Sequence, residues 1–135
     1  MSRDEIMGSP HRARNRVQAF RYAFAGLWHV LRTQRNAWIH ATATIIVIFS
    51  GVWLQVERQD WVLLILAIFI VWQAEIINTA LEVITDLASP EDHPLARVCK
   101  DVGAGAVLLA SVVAFILGMV VLIPALKIKL NSLGM

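Results

Sequence analysis

Residues 61 to 82 read WVLLILAIFIVWQAEIINTALE, an apolar run from Trp61 to Trp72 that continues into two glutamates, Glu75 and Glu82. The apolar run belongs in a membrane, where a carboxylate costs several kcal/mol because lipid does not solvate its charge. Two such groups stand here in one segment, with Asn78 between them. We therefore expect this segment to form the functional site.

Composition places the whole chain in the membrane class. Its 135 residues are 58% hydrophobic, and 12 Lys and Arg stand against 10 Asp and Glu. That length allows one domain, and the apolar content is too high for a soluble one. The surplus of positive charge indicates membrane orientation and lipid headgroup contact, not nucleic-acid binding. Cys99 is the only cysteine, so no internal disulfide forms and an inert thiol is expected.

Three apolar segments are long enough to cross the bilayer. About 20 helical residues span a hydrocarbon core of about 30 Å, and each span must be a helix because lipid satisfies no backbone hydrogen bonds. We predict spans at about residues 37–56, 61–86 and 100–125. The fold class is therefore an all-α integral membrane protein.

The segment before the first span predicts an amphipathic surface helix over about residues 16–34. Its apolar and aromatic residues recur at helical spacing, and its polar residues occupy the other face. The apolar face comprises Val17, Phe20, Phe24, Leu27, Trp28 and Leu31. Such a helix lies in the membrane interface. It is either a simple anchor or also a wall of a lipid or nucleotide site, with Tyr22 and Arg32 as candidates.

The remaining organisation follows from polarity and charge. Residues 1–15 are polar without an apolar face and are predicted to form a disordered cytoplasmic tail, whereas residues 16–135 form a single membrane domain. Seven arginines precede the first span and place the N-terminus in the cytoplasm. The loop at 55–60 is then external and the loop at 87–100 cytoplasmic. Lys127 and Lys129 would then lie outside, against the rule, but these two charges are outnumbered by the seven arginines.

The polar residues of the second span share one helical face. They are spaced by three and four: Glu75, Asn78, Thr79, Glu82 and Asp86. With Trp61 at the outer interface, Glu82 reaches the cytoplasmic surface, and Glu75 lies about 10 Å deeper. A deep carboxylate suits a general base, and a shallow one suits Mg²⁺. The alternative is that this face only holds helices together in an oligomer.

The loop after the second span supplies further charges. It contains Glu91 and His93, and we expect Lys100 and Asp101 to open the third helix, where the backbone amides of a helix N-terminus attract phosphate. The alternatives are that the charged pair only caps the helix and that His93 only makes a hydrogen bond in the turn.

No nucleotide-binding motif of soluble proteins competes with this interpretation. A Walker A pattern is absent, and Gly103-Ala-Gly105 lacks the third glycine and the strand of a dinucleotide fingerprint. We attribute these glycines to close helix packing.

The motifs together resemble those of the small prokaryotic diacylglycerol kinases, in the branch that includes undecaprenol kinases. The resemblance covers roughly residues 17–125. It is carried by Phe20-Arg-Tyr-Ala-Phe, Gly26, Thr33-Gln-Arg-Asn, Glu75-Ile-Ile-Asn-Thr-Ala-Leu-Glu82, Asp86, His93-Pro-Leu-Ala, Lys100-Asp101 and Gly105-Ala-Val-Leu.

The resemblance implies a homotrimeric kinase of the bacterial inner membrane that transfers the γ-phosphate of ATP, with Mg²⁺, to a lipid alcohol at the cytoplasmic face. By position, Glu75 matches the catalytic base, Asn78 the asparagine beside it, and Glu82 a ligand of metal and nucleotide. The matching nucleotide contacts are Tyr22, Asp86, Glu91, His93, Lys100 and Asp101. A small-residue ridge also predicts close packing of the third span: Ala106, Ala110, Ala114 and Gly118.

One position departs from the family pattern. Gln34 stands where many relatives carry an acidic residue that shares the metal with the position of Glu82. A neutral amide is a weaker Mg²⁺ ligand than a carboxylate. Either Glu82, phosphate oxygens and water hold the metal, or Gln34 adds its carbonyl oxygen as a metal and nucleotide contact.

Other functions remain open at this point. Undecaprenol is the substrate that the resemblance favours, and diacylglycerol is the alternative, because both present a hydroxyl near the headgroups. From another class, the chain could be a non-catalytic membrane subunit or a small cation or proton transporter. The charged residues predicted on the same membrane side as Glu82 argue against that class, since a transporter needs no nucleotide contacts.

Overall fold

The computed structural model describes residues 16–91 and 93–134, and these residues form four α-helices. They are α1 (Arg16–Thr33), α2 (Arg35–Leu54), α3 (Arg58–Ala88) and α4 (Pro94–Ser132). The predicted tail at residues 1–15 lies outside the described residues. Residues 16–33 and 34–134 belong to two compact units, so α1 is described by itself.

Three helices are long and apolar enough to cross a membrane: α2, α3 and α4. The prediction of three spans is confirmed, and the helices extend beyond the predicted bounds at residues 58, 88, 94 and 132. At 31 and 39 residues, α3 and α4 measure about 46 and 58 Å, longer than a core of about 30 Å. Both therefore extend past the hydrocarbon.

The helix ends follow from local chemistry. Gln34 is extended and separates α1 from α2, while Gln55 ends α2 in the left-handed region at φ 54°. There its N–H donates to Val52 O, and the Val56 N–H donates to Gly51 O, which satisfies carbonyls at the helix end. Pro90 follows the end of α3, where a residue without an N–H cannot continue the helix.

The fourth helix begins earlier than predicted. His93 is its N-cap, with Nδ1 accepting from the Leu95 N–H at 3.2 Å, and Pro94 occupies the first turn. Proline suits that place because its fixed φ is helical and its missing N–H would have no partner there. The expectation that Lys100 and Asp101 open this helix is wrong, since both lie well inside α4.

The main packing contact joins α3 to α4, and α2 packs against both. The buried apolar residues of α3, Leu64, Ala67 and Val71, stand one turn apart and continue the line that leads to Glu75. Most other large apolar side chains are exposed, among them Phe49 and Phe115. So much exposed apolar surface is not found on soluble monomers and fits helices surrounded by lipid.

A glycine permits a close approach of α4 to α3. A Cβ built on Gly103 would overlap Oδ1 of Asn78, so no larger residue fits there without displacing that amide. Gly105 and Gly118 have nothing within 4 Å of an added Cβ. The close-packing explanation is therefore confirmed for Gly103 and not for Gly105. In the predicted small-residue ridge, Ala110 is buried and Ala106 is exposed.

We predict that Gly103→Ala destabilises the protein by about 1 kcal/mol, because overpacking costs roughly 1–3 kcal/mol and the better helix propensity of alanine returns up to about 1 kcal/mol. The measurement is thermal unfolding in detergent micelles. Gly105→Ala is the matched control in the same helix and should not lower Tm. An unchanged Tm for Gly103→Ala would contradict the packing described here.

Candidate functional site

The polar face of α3 runs from a fully buried end to an exposed end. Glu75 has no exposed surface, and Asn78 and Thr79 are almost as deeply buried. Glu82 is half-buried and Asp86 is exposed. The helical spacing therefore brings the five predicted residues onto one line with a gradient of solvent access.

Glu75 is a buried carboxylate with little to satisfy it. Its nearest charged or chargeable partner is His40 on α2, whose Nε2 lies 3.5 Å from Oε2. That distance exceeds the 2.7–3.2 Å of a good hydrogen bond. Among the described residues, neither carboxylate oxygen of Glu75 has a hydrogen-bond partner. Both oxygens are thus open to a proton or a donor.

Glu82 is held by two amides. Gln34 Nε2 donates to Oε2 at 2.7 Å, and Asn78 Nδ2 donates to Oε1 at 3.1 Å. The Gln34 side chain makes no capping hydrogen bond to α2, and it bonds to Glu82 instead. The two amides fix the direction of the carboxylate. Asn78 in turn is aligned by Gly103, and its Oδ1 is buried without a hydrogen bond among the described residues.

These residues fit a divalent cation only if phosphate supplies further oxygens. No group of three His, Cys, Asp or Glu side chains within 16–91 and 93–134 is arranged to hold a metal. Mg²⁺ binds through one or two carboxylates together with phosphate oxygens and water. Each oxygen of Glu82 accepts one hydrogen bond, which leaves lone pairs for a cation. Glu82 can therefore serve as the single carboxylate ligand.

A polar cavity of about 660 Å³ lies between the end of α3 and the start of α4. Its lining residues are Asp86, Ser89, Pro90, Glu91, His93, Pro94, Ala96, Arg97 and Lys100. Lys100 Nζ contacts Asp86 Oδ1 at 2.5 Å across the two helices. Four of the predicted nucleotide residues thus meet around one cavity, while Asp101 is exposed and does not line it.

The remaining predictions are placed less directly. His93 makes the turn hydrogen bond that was its alternative interpretation, and it also lines the cavity. Tyr22 is a partly exposed residue of α1, in the other compact unit, so its predicted nucleotide contact stays a prediction. Cys99 is a free thiol that accepts a hydrogen bond from Thr85 Oγ1 at 3.3 Å.

Two site residues were missed by the sequence interpretation. Arg97 lines the polar cavity, and its position three residues before Lys100 was the available signal, because such residues share a helical face. His40 approaches Glu75 from another helix, so no spacing in the chain could have paired them. The available signal was only a titratable residue near the start of an apolar span.

An apolar cavity of about 440 Å³ lies among α2, α3 and α4. Of its lining residues, His40 is the one that can carry a charge, and most of the others are aliphatic, including Val47, Leu64 and Leu122. The buried carboxylate end of the polar face thus borders an apolar space through His40.

Comparison with known proteins identifies the family. The sequence model of the family described as prokaryotic diacylglycerol kinase matches residues 21–122. An undecaprenol kinase of Bacillus subtilis is 35% identical over 109 residues, which cover 81% of this chain and 89% of the relative. A diacylglycerol kinase of Synechocystis is 41% identical over 115 residues, 84% of this chain and 66% of the relative.

The diacylglycerol kinase of Escherichia coli strain K12 is a further relative, 34% identical over 107 residues that cover 74% of this chain and 82% of the relative. The family match spans the polar face of α3, Gln34 and the polar cavity. It excludes the non-catalytic subunit and the small transporter as functions. The chain belongs to the prokaryotic diacylglycerol kinase family and is a bacterial membrane lipid kinase.

Proposed function

We propose that this chain transfers the γ-phosphate of ATP to the hydroxyl of undecaprenol. The observation that carries the transfer is the fully buried Glu75, with both carboxylate oxygens unbonded among the described residues, two helical turns from the amide-bound Glu82. Undecaprenol is favoured by the motifs around His93 and by the Bacillus subtilis relative. Diacylglycerol is the second candidate, favoured by the relatives of that name.

Glu75 is the catalytic base in this proposal. It takes the proton from the lipid hydroxyl as that oxygen forms a bond to the γ-phosphorus and the bond from phosphorus to ADP breaks. Burial supports the role because surroundings of low dielectric favour the neutral form of a carboxyl group over the charged form. Transfer of a proton to the carboxylate is therefore favoured there. Asn78 lies between the base and the nucleotide ligand on α3, and its amide hydrogen bond fixes the orientation of the Glu82 carboxylate.

The nucleotide lies at the polar cavity and Glu82. Lys100 and Arg97 offer positive charge to the phosphates, while Glu91, His93 and Asp86 line the same cavity. For Lys100 to bind phosphate, its contact with Asp86 must loosen, and this leaves Asp86 available to the nucleotide. Asp101 and Tyr22 are further proposed nucleotide contacts, supported by their match to the family motifs.

Mg²⁺ supplies charge neutralisation of the phosphates when it is bound. Glu82 is its protein carboxylate. Gln34 joins as a second ligand only if its amide turns to present the carbonyl oxygen, because the nitrogen that now faces Glu82 is a donor and cannot bind a cation. A cation between the two side chains would favour that turn.

The assembly is a homotrimer with a cytoplasmic N-terminus and site. Support comes from α4, because only 11% of its most apolar 18-residue stretch is buried within the chain. Much of this helix can therefore contact lipid or another subunit. The arginines before α2 support the orientation. For α1, exposed Phe20, Phe24 and Trp28 support a helix lying in the interface.

We expect Glu75→Gln to lower ATP-dependent lipid phosphorylation by at least about 1,000-fold, because the glutamine cannot accept the hydroxyl proton. The variant should still insert and unfold at the wild-type Tm or above, since burying a neutral amide costs less than burying a carboxylate. Phosphate transfer from radiolabelled ATP to the lipid is the measurement. Wild-type turnover in this variant would exclude Glu75 as the base.

We expect Gln34→Glu to lower the Mg²⁺ concentration needed for half-maximal activity by about tenfold, because a second carboxylate joins the metal site. Titration of Mg²⁺ at saturating ATP measures the effect. Gln34→Leu is the matched variant that removes the amide, and Glu82→Gln should lose nearly all activity. The same Mg²⁺ dependence in wild type and Gln34→Glu would argue against a metal role for position 34.

We expect the purified protein to phosphorylate undecaprenol with a kcat/KM at least about tenfold higher than for diacylglycerol in the same micelles. Each lipid is presented alone with MgATP, and the Glu75→Gln protein serves as the background control. A preference for diacylglycerol would keep the lipid kinase and replace the substrate.

A further inference from the structure

Among the described residues, His40 is the one titratable group that approaches the buried carboxylate from another helix. We propose that His40 is a positioning residue for phosphoryl transfer: its Nε2 holds Oε2 of Glu75, so that Oε1 is the oxygen that accepts the proton of the lipid hydroxyl. The inference rests on the proposed function of Glu75 as the base and adds which oxygen acts and what aligns it.

Distance and burial support the pair. Nε2 of His40 lies 3.5 Å from Oε2 of Glu75, and the exposed fractions of the two side chains are 11% and 0%. Both atoms are buried without a hydrogen-bond partner among the described residues. A movement of a few tenths of an ångström would satisfy both at once, and a buried polar atom left without a partner destabilises the fold.

The imidazole is held by contacts outside the catalytic group. Trp72 stands one turn before Glu75 on α3, and its ring meets the His40 ring edge-on, with centroids 6.4 Å apart at 68°. Trp72 Nε1 donates to Thr44 Oγ1 at 3.1 Å, and Thr44 Oγ1 donates to the backbone oxygen of His40 at 2.7 Å. These bonds tie the two helices together at the level of the pair.

Within the part of the chain that the structure describes, no other contact of the polar face holds the Glu75 carboxylate. Asn78 directs its amide to Glu82, and Thr79 Oγ1 donates to the backbone oxygen of Glu75, not to its carboxylate. A neutral imidazole with its proton on Nε2 donates one hydrogen bond and adds no charge to the buried site.

The proton balance follows. As the hydroxyl oxygen bonds to the γ-phosphorus, its proton passes to Oε1 of Glu75, and ADP leaves with the electron pair of the broken P–O bond. His40 keeps its own proton and continues to hold Oε2. Because His40 also lines the apolar cavity, a lipid chain that occupied that space would lie against the imidazole that holds Glu75.

The test compares three replacements of His40 in the full-length protein. Gln places an amide N–H near the position of Nε2, whereas Leu has no donor and Asn is too short to reach Oε2. We expect Leu and Asn to lower kcat by about 100-fold with the KM values for ATP and lipid within about threefold of wild type, because a misaligned base slows the chemical step only. Gln should return kcat to within about tenfold of wild type.

Thr42→Val is the matched control. Thr42 lies two residues from His40 on the exposed side of α2 and bonds only to its own helix in the described contacts, so its kcat should not change. Tm in micelles identifies any variant that fails to fold, and the comparison of Asn with Gln, both polar, stands if Leu fails.

Wild-type kcat in His40→Leu or His40→Asn would overturn the inference, and so would a Gln variant as slow as Asn at equal Tm. Glu75→Gln separates this failure from that of the proposed function. An inactive Glu75→Gln beside a fully active His40→Asn removes only the role of His40, whereas an active Glu75→Gln removes the base itself.

Discussion

Burial of the Glu75 carboxylate inside a membrane-spanning helix underlies the arrangement of the other groups. A charged or even a polar group there is costly unless neighbouring helices supply hydrogen-bond partners. Few residue types are therefore suitable at the positions packed around it. His40 faces it from α2, and Trp72 and Thr44 lock those two helices at the same level. The membrane thus makes the local packing of α2 on α3 a condition for keeping this carboxylate at depth.

The second carboxylate, Glu82, has surroundings opposite to those of Glu75. It lies where water can reach it, and two neutral amides direct it without neutralising its charge. In the proposed function, that difference gives two glutamates on one helix different chemistry, because the surroundings and not the residue type decide whether a carboxylate takes a proton or binds a cation. Gly103 belongs to this arrangement, since the close approach of α4 confines the Asn78 amide between the two acids.

Near the end of the polar face the charges come from two helices. Lys100 of α4 contacts Asp86 of α3, and Arg97 joins them at the same cavity. Phosphoryl transfer needs mainly positioning and charge, so side chains gathered at two helix ends can serve without a phosphate-binding loop. The early start of α4 at Pro94 is what turns Arg97 and Lys100 to one side and leaves Asp101 off the cavity.

Much of this protein follows from its sequence alone. Apolar length determined three spanning helices, because lipid leaves the backbone no alternative, and spacing by three and four put Glu75, Asn78 and Glu82 on one face. Motifs identified the family. The true start of α4 was missed because a proline after His93 reads equally as turn or first helical residue. Only the tertiary structure decided that Gln34 meets Glu82 and that His40 meets Glu75, since these pairs are 48 and 35 residues apart in the chain and form only when the helices pack.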